Sequence, residues 1–380
     1  MDKILGVGII GCGNISATYL ELIPMFRNIA VVAVSDINME AAKARAAAHG
    51  IPAQTVKELL ANPAVAIVLN LTVPAVHYKV TRQALLAGKH VYSEKPLTLS
   101  MTEAKDLQAI AKRKGLQVAA APDTFLGGSH QLVRKLIDDG AIGKVASGTA
   151  HVLSRGMEHW HPNPDFFFKP GGGPILDMGP YYIANLVNLV GPVRRVAALA
   201  STPRKERTIS SGPRAGETIR VTTPTTYHAL LHFANGAAIT LSASWDVLAH
   251  RHQHIEIYGT EGAIFVPDPN FFGGEVMMAG ADGQAQPVKP WDHPFTTANW
   301  KDHGGNAWPN YRAAGLADMA AGLLGKRDIR CGISRMAHVV EVMTAIAASG
   351  KTGRFVDLKS TCTRPRPLLP DEARRLLKTA

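Results

Sequence analysis

Ile4-Leu5-Gly6-Val7-Gly8-Ile9-Ile10-Gly11-Cys12-Gly13-Asn14-Ile15-Ser16 begins as an apolar run and stops at two closely spaced glycines. The run reads as a strand buried on both faces, Ile4 to Ile10. The glycines let the backbone turn at once into a helix, whose first N–H groups are then free to meet a pyrophosphate. Ser16 stands where a third glycine is usual and is small enough for close helix–strand packing. This loop decides the reading of the first third of the chain.

Working outward, the next apolar run, Ala30 to Ser35, ends at Asp36, twenty residues after Ser16. A carboxylate at that place accepts the ribose hydroxyls of an adenosine. Its charge repels a 2′-phosphate, and Ile37 rather than an arginine follows, which favours NAD over NADP. The plainer alternative is a tight turn with Asp36 capping the following helix.

Further apolar runs at Ala66 to Leu71, His90 to Ser93 and Gln117 to Ala121 alternate with helical patterns. Asn38 is placed to cap a helix ending at Gly50, and Ser100-Met101-Thr102-Glu103 has capping-box spacing ahead of a helix ending at Gly115. Alternation of this kind predicts a parallel sheet flanked by helices. From about Val145 the pattern changes to strands of alternating polarity joined by turns at Asn235-Gly236 and Gly259-Thr260-Glu261-Gly262. Helices are expected at about Tyr311 to Leu324 and Ser334 to Ser349, and an extended proline-rich strap over Thr363 to Pro370. The fold class is therefore α/β: an N-terminal Rossmann domain, residues 1–123, and a C-terminal α+β domain with a predominantly antiparallel sheet, residues 124–380.

Composition fits two domains, since 380 residues exceed what one core usually serves. The three cysteines, Cys12, Cys331 and Cys362, make neither a C-x-x-C pair nor an even disulfide set, which points to a reducing cytoplasm. The glycines break up the N-terminal apolar run as a secretion signal, and no apolar stretch is long enough to span a bilayer. The formal net charge is +11, concentrated in Arg194 to Arg220 and Lys351 to Ala380 without a basic-aromatic stripe. No nucleic-acid or membrane partner is expected.

Two further stretches carry candidate chemistry. Glu94-Lys95-Pro96 follows a predicted strand at the sheet edge where ligands bind, so Lys95 can reach a substrate hydroxyl. Gly171-Gly172-Gly173-Pro174-Ile175-Leu176-Asp177-Met178-Gly179-Pro180-Tyr181 brings a carboxylate and a phenol four residues apart, on one face if the segment is helical. The plainer reading makes Asp177 an N-cap and Tyr181 a core aromatic.

With Thr72-Val73-Pro74 and His77, and Ala87-Gly88-Lys89-His90-Val91, these motifs in this order resemble the Gfo/Idh/MocA oxidoreductases over nearly the whole chain. The resemblance implies a Rossmann domain followed by an open-faced sheet that pairs subunits as a homodimer or homotetramer. It implies an active site that takes NAD, in which Lys95 and Asp177 line the nicotinamide site and the Lys95–Pro96 bond is cis. On this basis Gly11, Gly13, Asn14, Ile15, Asp36, Thr72, Pro74, His77, Glu94 and Lys95 are expected at the cofactor, with Lys95, Asp177 and Tyr181 catalytic. Many members have D-x-G-x-H, and here Tyr181 takes the histidine's place. A phenol ordinarily titrates near pH ~10, so Lys95 and the cofactor's positive charge must favour the phenolate.

The expected substrate is a small sugar, polyol or glycoside, handled by Lys95, Asp123, Trp160, His161, Asp177 and Tyr181. His159-Trp160-His161 lies in a loop rich in aromatics, suited to stacking a sugar ring. Selectivity is expected from the segments 125–131, 157–168 and 295–311. No metal site is expected, since His159 and His161 lack a third ligand; His250, His252 and His254 would share one face of a strand. Two other functions fit the same residues: cofactor-recycling hydrolysis or epimerisation through a transient keto-sugar, and a non-catalytic sugar or dinucleotide sensor.

Overall fold

The structure is a computed structural model that describes residues 3–301 and 304–378. Residues 302 and 303 of the 295–311 segment, and residues 1, 2, 379 and 380 at the ends of the two expected domains, lie outside the described residues. The expected division is a single cut between 123 and 124. The chain forms two compact units that are each discontinuous, Met1–Gln131 with Trp291–Val340 and Pro365–Ala380, and Leu132–Pro290 with Glu341–Arg364.

In the first unit, strands β1 (Leu5–Ile10), β2 (Ile29–Ser35), β3 (Ile67–Asn70), β4 (His90–Ser93) and β5 (Val118–Ala120) form a wholly parallel sheet in the order β2-β1-β3-β4-β5. The order reverses between β1 and β3, and ligands in such sheets bind at the carboxyl ends flanking the reversal. Helices α1 (Asn14–Leu22), α2 (Met39–His49), α3 (Val56–Ala61), α4 (His77–Leu86) and α5 (Met101–Lys114) alternate with the strands. Their ends follow local chemistry. Asn38 accepts from Glu40 N to cap α2, Ser100 accepts from Glu103 N to cap α5, and Gly50 and Gly115 close both helices in the left-handed region.

Later segments complete this unit. Helix α9 (Ala314–Gly325) carries fully buried Asp318, whose carboxylate accepts from Arg330 N (2.8 Å) and Nη1 (2.5 Å). The same guanidinium donates to the carbonyls of Arg366 and Pro367 and to Glu372 of α11 (Pro370–Leu376). Arg330 thus pins residues 366–367 of the extended strap and α11 to the unit. Taking away one partner of such a buried pair costs about 3–5 kcal/mol, because the other charge stays desolvated.

The second unit is built on β6 (Val145–Leu153), β7 (Val193–Ser201), β10 (Thr226–Phe233), β11 (Ala238–Ser244), β12 (Ile255–Gly259), β13 (Ala263–Val266), β14 (Met277–Ala279), β15 (Gln286–Pro287) and β18 (Val356–Asp357). Among the described residues they form one sheet in the order β15-β14-β13-β12-β6-β11-β10-β7-β18, antiparallel at every pairing except β6 with β11. Alternation along β10 buries Tyr227, Ala229, Leu231 and Phe233 and leaves His228, Leu230 and His232 exposed, so one face is core and the other open. A separate hairpin, β8 (Glu206–Thr208) with β9 (Thr218–Arg220), stands apart from this sheet. No helix among the described residues is long and apolar enough to cross a membrane.

Candidate functional site

The carboxyl edge of the parallel sheet is shaped by one close approach. Gly11 sits at φ +106°, and a Cβ built on it would lie 2.6 Å from the Leu71 carbonyl carbon and 2.7 Å from Thr72 N. Only glycine fits there. Gly13 is the N-cap of α1 and brings no capping side chain, and the first turn of α1 carries no acid. The space over Gly13 is open, since a Cβ there would meet nothing within 4 Å. Uncapped N–H groups beside open space are a donor set that fits a phosphate.

Asp36 ties this loop to the next strand. Its carboxylate accepts from Cys12 N (2.7 Å) and Asn38 N (2.8 Å), leaving further lone pairs on both oxygens. Asn38, not Asp36, caps the following helix. Burial and the Asp36 charge push the Cys12 thiol up to about 11, so it stays neutral beside the loop. Arg45 donates to the Gly13 carbonyl at 3.4 Å.

The loops after β3 and β4 are bound together by buried polar groups. Asn70, fully buried, accepts from Thr72 N and Thr72 Oγ1 (2.6 Å) and donates to the His77 carbonyl. The His77 ring bridges the loops, with Nε2 2.8 Å from Thr72 O and Nδ1 2.7 Å from Pro96 O. Pro74 opens the short turn between Thr72 and His77. Buried Glu94 accepts from its neighbour Lys95 N (2.9 Å) and from Tyr19 Oη (2.8 Å), which fixes the half-buried Lys95 backbone. The Lys95–Pro96 bond is cis. Thr72, His77, Glu94 and Lys95 therefore form one connected edge. Asn70 and Tyr19 were not singled out from sequence, although an asparagine closing the apolar run Ile67-Val68-Leu69 was a visible signal.

Asp123 is held by backbone donors. It is 1% exposed, and its Oδ2 accepts from Ala313 N (3.1 Å) and Gly315 N (2.9 Å) at the start of α9. Ala313 holds φ +99°, a conformation that L residues rarely adopt, so this carboxylate anchors a strained backbone. Burial raises the acid to about 6; the Gly315 N–H and Arg312 act the other way, while nearby Glu94 adds to the rise.

Within the second unit, the glycine run packs against the turn before it. Gly173 N donates to Phe167 O (2.8 Å), and a Cβ on Gly172 would fall 2.4 Å from Phe166 O. Two short helices follow, α7 (Pro174–Asp177) and α8 (Gly179–Leu189), broken at Met178. Asp177 ends the first and is not an N-cap; Tyr181 lies in the first turn of the second and is 5% exposed. The break departs from the continuous helix that would align the two residues. Every residue of α8 is buried, the polar Asn185 and Asn188 included.

His161 belongs to the same neighbourhood. Burial lowers its imidazole, and the Asp177 carboxylate opposes that shift. Its ring stands edge-on to Phe167 (5.1 Å) and Phe166 (5.6 Å), and Trp160 beside it is 64% exposed. Histidines 250, 252 and 254 lie outside any strand, although the His250 and His252 rings stack at 6.2 Å as a shared face would have them. They precede β12, with His252 stacked on His151 at 4.1 Å and His254 Nδ1 3.0 Å from Tyr182 Oη. His254 O accepts from His151 N of β6 (2.8 Å) just ahead of β12. No group of three or more His, Cys, Asp or Glu among the described residues is arranged to hold a metal ion.

Two family profiles match the chain. One, described as oxidoreductase family, NAD-binding Rossmann fold, covers residues 5–121; the other, the GFO/IDH/MocA C-terminal domain, covers residues 130–265. An uncharacterized oxidoreductase of Schizosaccharomyces pombe is 34% identical over 168 residues, 43% of this chain and 44% of that protein. The chain spans about half the length of the first curated relatives it matches, 44% and 51%. Levoglucosan dehydrogenase of Pseudarthrobacter phenanthrenivorans is 29% identical over 289 residues, 68% of this chain and 73% of that one. Among solved structures, levoglucosan dehydrogenase in complex with NADH and L-sorbose shares the fold with a TM-score of 0.79 at 23% identity, covering 94% of this chain and 99% of the other.

The buried Asp123 gives a pH test. Its folded value, about 6, lies above the ordinary 3.8, so between the two the folded state holds a proton that the unfolded chain has released. Stability from this group is complete below about pH 4 and is lost as the pH rises through about 6, by roughly 3 kcal/mol in all. Urea unfolding from pH 4 to 7 is expected to show that fall in the wild type and a flatter profile in Asp123→Asn. Parallel profiles would show that Asp123 is ordinary.

Proposed function

The chain belongs to the GFO/IDH/MocA oxidoreductase family, and on that premise we propose that it is an NAD-dependent dehydrogenase acting on a secondary alcohol of a sugar, polyol or glycoside, or reducing the corresponding ketone. The observation that carries this reading is the edge that joins an open glycine loop to Lys95 through Thr72, His77, Pro96 and Glu94. Levoglucosan dehydrogenase, a sugar enzyme by name, is among the relatives that align over most of the chain.

In this reading Gly11, Gly13, Asn14 and Ile15 take the pyrophosphate at the start of α1, and Asp36 takes the adenosine ribose. Thr72, Pro74, His77 and Glu94 line the cofactor's other half. When bound, the nicotinamide accepts or supplies the hydride. Tyr181 takes the proton from the substrate hydroxyl at its Oη, with the Lys95 ammonium as its electrostatic partner. Asp177, with His161 next to it, accepts hydrogen bonds from substrate hydroxyls, and Trp160 offers a face to the ring. Asp123 also holds the backbone that opens α9.

Asp36 supports NAD over NADP, because its carboxylate already fills the space beside Cys12 N and meets no arginine in the next position. The open sheet face supports self-association: Leu199 is 70% exposed, and with Leu230 and His228 it lines a groove of 550 Å³. Large exposed aliphatic side chains in one groove are the usual mark of a covered surface.

Three measurements test these assignments. With a turned-over sugar or polyol, Tyr181→Phe and Lys95→Ala are each expected to lower kcat about 10²- to 10⁴-fold, Tyr181→Phe with NAD affinity kept; wild-type turnover by both variants would sink the catalytic roles. The Kd for NAD is expected to be at least about tenfold below that for NADP, a gap of about 1.4 kcal/mol that Asp36→Ala should narrow. Light scattering is expected to give a dimer or tetramer for the wild type and smaller species for Leu199→Asp; a wild-type monomer would refute the pairing.

A further inference from the structure

We propose that the β8–β9 hairpin, residues 206–220, determines specificity: it clamps the 156–168 segment and so fixes the Trp160 and His161 rings as a platform for a pyranose with one apolar face. This rests on the dehydrogenase reading for the reaction but concerns only how the sugar is held.

The 156–168 segment has little structure of its own. Its one regular element is a 3₁₀ turn, Pro164–Phe168, and Trp160 N and His161 N both lean on the single carbonyl of Met157. The hairpin supplies what is missing. Ser210 N donates to Glu158 O (3.0 Å), and the Ser210 hydroxyl lies 2.8 Å from His159 Nδ1. Arg214 forks onto Asp165 at 2.5 and 3.3 Å. Buried Arg207 donates to Glu158 Oε1 at 2.7 Å and to the carbonyl of Arg155 at 3.1 Å, and pairs with Asp246.

Apolar packing reinforces these bonds. Ile209 and Ile219 of the hairpin form one buried cluster with Met157, Phe167, Phe168 and Trp245. Phe167 O then accepts from Gly173 N, and Gly173 O from Asp177 N, so the clamped segment is continuous with the start of α7.

What the clamp displays is unusual for a surface. Trp160 at 64% and Phe166 at 51% exposure stand edge-on to the same imidazole, at 5.4 and 5.6 Å. Aromatic faces held open to solvent suit the C–H face of a sugar ring, while His161 and Asp177 answer its hydroxyls. Holding them before the ligand arrives lowers the ordering cost of binding. A linear polyol has no such face and gains little from the platform.

The test is a double-mutant cycle on the Arg214–Asp165 fork, which is partly exposed and of small weight in global stability. NADH formation is followed with D-glucose and levoglucosan as ring probes and D-sorbitol as the linear probe. Hydrogen exchange of residues 156–168 is read in parallel, without any turnover. Arg214→Ala and Asp165→Ala are each expected to raise KM for the ring probes about fivefold with kcat within about twofold, and to speed exchange in that segment. The double variant should do no worse than either single one, Asp165→Glu should retain wild-type values, and KM for D-sorbitol should not move. Unchanged exchange in 156–168 in both single variants would overturn the clamp, and an equal KM rise for sorbitol would overturn the ring platform. If none of the probes is turned over, exchange alone decides the clamp, and ring binding is read by calorimetry with D-glucose on the NADH-loaded protein. Failure of the underlying reading shows separately, as wild-type turnover by Tyr181→Phe.

Discussion

The contact of the Gly11 backbone with the Leu71–Thr72 peptide sets the geometry of the whole ligand edge. Parallel strands need their loops at the carboxyl ends to pass close to one another at the point of reversal, and a side chain of any size at position 11 would force the β1 and β3 loops apart. Because they meet, Thr72 comes within reach of Asn70 and His77, and His77 in turn reaches the Pro96 carbonyl. Each donated bond is ordinary in strength, at about 0.5–1.5 kcal/mol, and one His77 tautomer donates to only one of its two carbonyls. Their effect is cumulative, since they link the glycine loop to the backbone of Lys95 with no free joint between.

Buried acids do the same work from below. Glu94 and Asp123 are both desolvated, and each spends its lone pairs on a neighbouring backbone or hydroxyl: Glu94 on Lys95 N and Tyr19, Asp123 on the Ala313 and Gly315 amides. Burial and the mutual repulsion of the two charges raise Asp123, against Arg312 and the amide donors. A site arranged this way is rigid because releasing any one donor would leave a buried carboxylate short of partners.

Much of this was legible in the sequence where the signal was local. The strand Ile4 to Ile10, the caps at Asn38 and Ser100, the glycine stops at Gly50 and Gly115, and the turn at Asn235-Gly236 all depend on residues a few positions apart. The strand placement of His250, His252 and His254 was not legible, since β12 starts only after them, although His250 and His252 stack on each other and His252 on His151 of β6. The break at Met178 was hidden for a similar reason. Gly179-Pro180 can open a new helix as readily as continue one, and packing decides which. Nor does any local pattern announce that residues 291–340 and 365–380 fold with the first unit, because that depends on Asp318 meeting Arg330 and on Arg330 meeting the strap.

The distribution of charge follows the same logic of long-range pairing. The two basic stretches that give the chain its excess of +11 contain arginines already committed within the fold: Arg207 to Glu158 and Asp246, Arg214 to Asp165, Arg364 to Asp138, and Arg374 to Asp292. Guanidinium groups suit this use, since a planar fork can satisfy a carboxylate and a carbonyl together. Arg207 does so while fully desolvated and only because Glu158 and Asp246 flank it, which makes the segment that carries Glu158 dependent on a hairpin fifty residues away. A charge count sees a basic stretch; the fold uses it to hold an aromatic loop next to Asp177.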